Sequence, residues 1–243
     1  KQKTAYEIMP SLVGSEMCIR DRSLSKLTEQ QMKHLILDLR GNPGGYLLPA
    51  KQIADDFLSS GKPIVIVQGN SGKRERTIAS SNGLFEVGGL YVLVDEDSAS
   101  ASEVIAGAIQ DNDRGWIIGR RTFGKGLVQQ QMPLGQGDQI RLTTARYFTP
   151  TGRSIQRPYD STSRKAYYAE VQNRYGSGEM QDPSNIPTLD SIEYTTPKGK
   201  KVYGGGGITP DIYVSNKESP EELWRSYLIR SNLVVRFVCK QKT

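Results

Sequence analysis

The stretch Asp97–Gln129, DSASASEVIAGAIQDNDRGWIIGRRTFGKGLVQ, decides how this chain is read. Ser100 stands at the mouth of a predicted helix over Ala101–Gln110, in which Val104, Ile105, Ala108 and Ile109 share one face. An apolar strand, Trp116–Ile118, follows, and then Lys125 lies between Gly124 and Gly126. Upstream, a short helix over 23–33 precedes His34–Arg40, an apolar run suited to a buried strand that ends in the turn Gly41-Asn42-Pro43-Gly44-Gly45. Tyr46–Leu58 reads as a helix with Leu47, Ala50, Ile53, Ala54 and Phe57 at helical spacing. Pro63–Val67 and Tyr91–Val94 read as strands, with a polar hairpin or excursion over 68–89 between them. Strand, helix and strand in alternation predict a crossover α/β core with a largely parallel sheet. Ligands in such sheets lie at the carboxyl ends of strands, and both the Gly41–Gly45 turn and Ser100 follow such an end.

Beyond Gly126 the pattern turns to β, with strands over Leu127–Met132 and Gln139–Phe148 joined by a turn through Leu134–Asp138. From Thr149 to Gly207 the chain is rich in Gly, Pro, Ser, Thr and Tyr and is expected to form long loops and short strands. Ile208–Val214 reads as an edge strand, and Glu221–Phe237 as a final helix.

The two ends carry the same tetrapeptide, KQKT, at Lys1 and at Lys240. Residues 1–22 and 238–243 look like translated sequencing-adapter sequence and are set aside, leaving 23–237 as the folding unit. Removing the six Lys/Arg and three Asp/Glu of those ends from totals of 32 and 26 lowers the net charge from +6 to about +3. A nucleic-acid partner is therefore not expected. Both cysteines, Cys18 and Cys239, fall in the same ends, so no disulfide framework or thiolate metal site is expected in the core. No run approaches the roughly 18 apolar residues of a membrane span, so any membrane association is expected to be peripheral.

Ser100 and Glu103 satisfy the capping-box pattern Ser-x-x-Glu, and a plain helix cap is one reading of them. The same geometry serves chemistry. A serine at a helix N-terminus sits among unpaired N–H groups, and the N–H of Ala101 is placed to stabilise an oxyanion. The Gly44–Gly45 turn is a candidate for the second donor, because glycine permits close backbone approach. Lys125 sits in a near match to the phosphate loop G-x-x-x-x-G-K-[ST], but Gly126 replaces the required hydroxyl and a strand follows where a helix is needed. A solvated surface lysine is the ordinary alternative. His34 is the chain's one histidine and sits at a strand start, so a Ser-His-Asp triad would rest on it alone. A Ser-Lys dyad is the other arrangement that activates a serine, and it requires a neutral lysine. Phe123, Leu127 and Val128 are the apolar neighbours expected to desolvate Lys125. Ser23-Leu24-Ser25-Lys26 also fits S-x-x-K but lacks the companion motifs that pattern needs.

LILDLRGNPGG (35–45), DSASASE (97–103), QDNDRG (110–115), GRRTFGKGLVQ (119–129), RYFTPTGRSIQRP (146–158) and GGGGITPD (204–211) together resemble the C-terminal processing (tail-specific) serine peptidase family. The resemblance covers about residues 24–237. It implies a crotonase-like α/β core with a β-rich C-terminal part, and a serine endopeptidase that cleaves near the C-termini of unfolded or exported proteins. It makes Ser100 the nucleophile, Lys125 the general base and Gln129 the residue that orients the lysine. Ala101 and a glycine of the Gly44–Gly45 pair would supply the oxyanion hole, and Asp111 would support the site. No metal, cofactor or coenzyme is implied, and the location implied is the bacterial cell envelope or periplasm. Family members carry an export signal, a helical segment and a PDZ domain ahead of this region, so the chain is expected to be an N-terminally truncated catalytic domain. An inactive peptide-binding scaffold on the same fold is the alternative, and acyl-CoA chemistry on that core a third.

Overall fold

The structure is a computed structural model that describes residues 19–80, 83–135, 138–158, 164–187 and 192–216. A helix spanning 19–29 (α1) leads into strand β1 (His34–Asp38) and helix α2 (Leu47–Asp55). Strands β2 (Pro63–Gly69), β3 (Arg74–Ile78) and β4 (Gly89–Val94) follow, then helix α3 (Ala101–Asp111) and β5 (Trp116–Gly119). The long strands β6 (Leu127–Gly135) and β7 (Asp138–Phe148) come next, then helix α4 (Arg164–Gly176) and the short strands β8 (Glu193–Thr195), β9 (Lys201–Tyr203) and β10 (Ile212–Tyr213). The α1 helix starts ahead of the boundary expected at Ser23, and its Arg20 reaches Asp56 at 3.1 Å. The helix expected over 221–237 lies outside the described residues.

One sheet has the order β1-β4-β5-β10 and is parallel at every pairing. Its register sets Asp38 beside Leu93 and Val94 beside Gly119, so three chain turns leave the sheet at one end. Helices α2 and α3 lie together on the core, where Ala54, Val92, Ala106, Ala108, Ile109 and Ile117 are fully buried. Each large aliphatic side chain buried this way contributes about 1.5–3 kcal/mol.

Two expectations need correction. The strands do not form one largely parallel sheet. β2 leaves the parallel set and joins a second, antiparallel sheet of order β3-β2-β7-β6. Ile64, Val65 and Ile66 are buried on both faces of β2, and such a run looks the same in either kind of sheet. The hairpin expected over 68–89 is present as β2 and β3, closed by a Gly72-to-Gly69 turn bond. The second correction is α4, which occupies a stretch read as loops and short strands. Among its described side chains the buried one is Arg174, and Glu170 on the same face takes Arg157 and Arg174. A helix that docks through charge carries no apolar stripe for periodicity to detect.

Candidate active site

The carboxyl ends of β1 and β4 build one wall of the site. The Asp95 carboxylate accepts from the Gly41 N–H at 2.9 Å, the Ser98 hydroxyl donates to Leu39 O at 2.8 Å, and the Ala99 N–H donates to Asn42 O at 3.0 Å. These bonds stitch the glycine turn to the loop that delivers Ser100. Ser100 is half-buried at the N-cap of α3, with φ 55° and ψ −113°. A residue with a side chain takes that left-handed φ only where its surroundings hold it, and such strain collects at functional sites.

The two glycines of the turn differ. Gly44 (φ +85°) packs so closely that a Cβ there would stand 2.4 Å from Ala99 O, 2.6 Å from Ala101 N and 3.0 Å from Ser100 Cβ. Its N–H is taken by Asn42 Oδ1 at 2.9 Å. A Cβ on Gly45 would meet nothing, and the backbone N–H groups of Gly45 and Ala101 have no hydrogen-bond partner among the described residues.

Lys125 arrives on a loop that follows β5. Thr122 N–H donates to Ile208 O at 3.0 Å, Ile208 N–H donates to Thr122 Oγ1 at 2.7 Å, and Phe123 N–H donates to Ser98 O at 3.0 Å. Gly124 takes φ +87° and passes so near Gly207 that a Cβ would lie 3.1 Å from its nitrogen. The Gly126 N–H donates to Gln156 Oε1 at 2.9 Å. The Lys125 side chain is half-buried, and no hydrogen bond joins it to the Ser100 hydroxyl in this structure. Of its expected apolar neighbours, Phe123 is occupied by the Arg157 guanidinium, which stands 3.9 Å from the ring centroid.

What ties the two residues together is a pair of buried side chains. The Glu103 carboxylate is wholly buried and accepts four hydrogen bonds. Two come to Oε2, from the N–H groups of Ser100 (2.8 Å) and Lys125 (2.9 Å), and two to Oε1, from Gly124 N–H (2.7 Å) and Thr122 Oγ1 (2.6 Å). Burial raises its pKa by more than the hydrogen bonds from Thr122 and the three N–H groups lower it. All four neighbours are donors, so a proton on this carboxyl would face donors rather than acceptors, and the cage is built for the anion. From the other side, the Tyr147 hydroxyl hydrogen-bonds Ser100 O at 2.9 Å and also Lys125 O.

The remaining candidates are more distant. Gln129 is exposed on β6, opposite Thr143 at a bulge, and makes no hydrogen bond to Lys125. Asp111 ends α3, about 16 Å along the helix from Ser100 at about 1.5 Å per residue. There it accepts from Arg153 at 2.7 Å and from the Thr151 hydroxyl at 2.6 Å. His34 sits exposed at the amino end of β1, the end of the sheet away from Ser100. In the sequence Glu103 reads as a cap alone, and Tyr147 and Thr122 carry no mark of a role. The Ser-x-x-Glu spacing pointed to Glu103, but nothing local pointed to Tyr147, whose contacts span 47 and 22 residues.

Residues 19–160 match the sequence pattern of peptidase family S41, and the chain belongs to that family. It is 43% identical over 136 residues to a carboxy-terminal-processing protease of Bartonella bacilliformis, a match covering 54% of this chain and 30% of that protein. It is 36% identical over 157 residues to a chloroplastic C-terminal processing peptidase of Tetradesmus obliquus, covering 65% of this chain and 34% of that one. The chain thus spans about a third of the length of these relatives. Among solved structures, a photosystem II D1 C-terminal processing protease superposes with a TM-score of 0.55 at 29% identity, over 83% of this chain and 40% of that one.

Proposed function

We propose that this chain carries the core of a serine endopeptidase that cuts near the C-termini of unfolded or exported proteins, with Ser100 as nucleophile and Lys125 as general base. The observation that carries the reading is the Glu103 carboxylate, which accepts the N–H of both residues and so gives them one shared anchor. A solubility lysine needs no such anchor.

In this mechanism a neutral Lys125 Nζ takes the Ser100 hydroxyl proton as Oγ attacks the scissile carbonyl. The tetrahedral oxyanion is received by the N–H of Ala101, at the positive end of α3, and by the N–H of Gly45, neither of which has a hydrogen-bond partner among the described residues. Gly44 serves by closeness, since any side chain there would crowd Ala101 N. Lys125 then gives its proton to the departing amine, leaving an acyl-enzyme on Ser100 that water cleaves. Catalytic hydrogen bonds often close only when substrate is bound, and the long lysine side chain has the rotations to reach the serine. Gln129 orients Lys125 in that closed state. Asp111 supports the fold at the far end of α3, through Arg153 and Thr151, and touches no reacting group.

The substrate is proposed to bind as an added strand, where main-chain hydrogen bonds give affinity with little sequence demand. β6 supports this, because it is a sheet edge that begins two residues after Lys125. We read the core as crotonase-like and the location as the cell envelope. The test is a rapid acid quench during hydrolysis of a slowly deacylating peptide ester, followed by mass spectrometry. The expected result is a substrate acyl group on Ser100. Turnover with no adduct there, or with one elsewhere, would sink the reading.

A further inference from the structure

We propose that Tyr147 is a positioning residue that fixes the Lys125 loop against Ser100, so that nucleophile and base leave one rigid backbone frame. The inference rests on the peptidase reading and adds to it the element that sets the dyad's geometry.

Tyr147 is buried on β7 and engages the site through both its backbone and its side chain. Its N–H donates to Gly126 O at 3.0 Å, directly after the lysine. Its hydroxyl stands between Ser100 O, at 2.9 Å, and Lys125 O. Glu103 meanwhile accepts the N–H of both residues. Ser100 and Lys125, 25 positions apart in the chain, are therefore joined at N–H by one carboxylate and at C=O by the single proton of one phenol, which the two carbonyls share. Burial and the nearby Glu103 carboxylate push the Tyr147 pKa well above its ordinary value, so the hydroxyl keeps the proton it donates.

The two carbonyls do not depend on Tyr147 equally. Ser100 O also accepts the N–H groups of Glu103 (2.9 Å) and Val104 (3.0 Å) as α3 begins. Lys125 O has no other hydrogen-bond partner among the described residues. Removing the hydroxyl leaves the serine in its helix and frees the lysine's peptide unit. The tyrosine thus acts on the base by holding its loop.

The test compares Tyr147→Phe with the wild-type 243-residue chain by amide hydrogen exchange and by turnover of a disordered protein. Phenylalanine keeps the ring and its packing. The expected result is about tenfold faster exchange at Gly124–Gly126 with Val104–Ala108 unchanged, and kcat lowered about ten- to a hundredfold at a KM within about twofold. Asp111→Asn, at the far end of α3, serves as the comparison that loses stability without touching the loop. If Tyr147→Phe lowers the melting temperature but leaves loop exchange and kcat per folded molecule at wild-type values, the tyrosine is structural only and the proposal is overturned. Faster loop exchange with unchanged kcat overturns the positioning role too. Absence of wild-type turnover counts against the peptidase reading instead, and loop exchange then decides whether the tyrosine holds the loop.

Discussion

The two ends of α3 each bury a carboxylate, and they use it differently. At the carboxyl end Asp111 meets a cation, Arg153, together with the Thr151 hydroxyl and N–H. At the amino end Glu103 meets no cation among its hydrogen-bond partners. It is surrounded by one hydroxyl and three backbone N–H groups drawn from two different loops. An ion pair such as Asp111–Arg153 locks the fold locally, and its neighbours need no particular chemistry. A carboxylate bonded to backbone amides fixes where the chain itself runs. At this end the fixed residues are a serine of left-handed φ and a lysine flanked by glycines. Burial of charge stabilises one end of the helix and organises the other.

Exchanging each carboxylate for its amide breaks that comparison most sharply. Glu103→Gln leaves a single acceptor oxygen and turns an NH2 group toward donors. Turnover is expected to fall about a hundredfold, as for a misplacement of about 1 Å at a reacting centre. Asp111→Asn breaks a buried ion pair and is expected to lower stability by about 3–5 kcal/mol, with turnover per folded molecule within about twofold of wild type. Thermal melts beside steady-state kinetics read both. The two effects should not exchange places.

A smaller contrast sharpens the amino end. Gly44→Ala forces a Cβ to 2.4 Å from Ala99 O at φ +85°, so the turn must shift away from Ser100 and Ala101. About 1–3 kcal/mol of stability and most of the turnover should be lost. Gly45→Ala meets open space and should leave stability within about 0.5 kcal/mol of wild type. Denaturant unfolding and turnover of the two variants side by side measure the difference.

The readable and hidden parts of the molecule divide along physical lines. Strands β4 and β5 and helices α2 and α3 bury apolar residues at regular spacing, and that spacing is visible along the chain, whereas β1, read as a buried strand, is a sheet edge that leaves Ile36 65% exposed because only one neighbour, β4, covers it. Ser100 and Lys125 stand out because a capping pattern and two glycines mark them. The second sheet was hidden because Ile64–Ile66 are buried on both sides and carry no sign of their partner strand. α4 was hidden because, among its described side chains, Arg174 and Glu170 dock it through charge. The bonds of Glu103 to the lysine loop and the reach of Tyr147 were hidden because they join residues 19 to 47 positions apart.

The most direct test of the account is the turnover of a disordered protein by Lys125→Ala beside the wild-type chain, with melting temperature confirming that both are folded. The account predicts a loss of a thousandfold or more, since removing one member of a group that acts as a unit costs nearly as much as removing all of it. Near-wild-type cleavage by the folded Lys125→Ala variant would contradict it. The lysine would then be a surface charge, and its shared anchor with Ser100 an element of the fold alone.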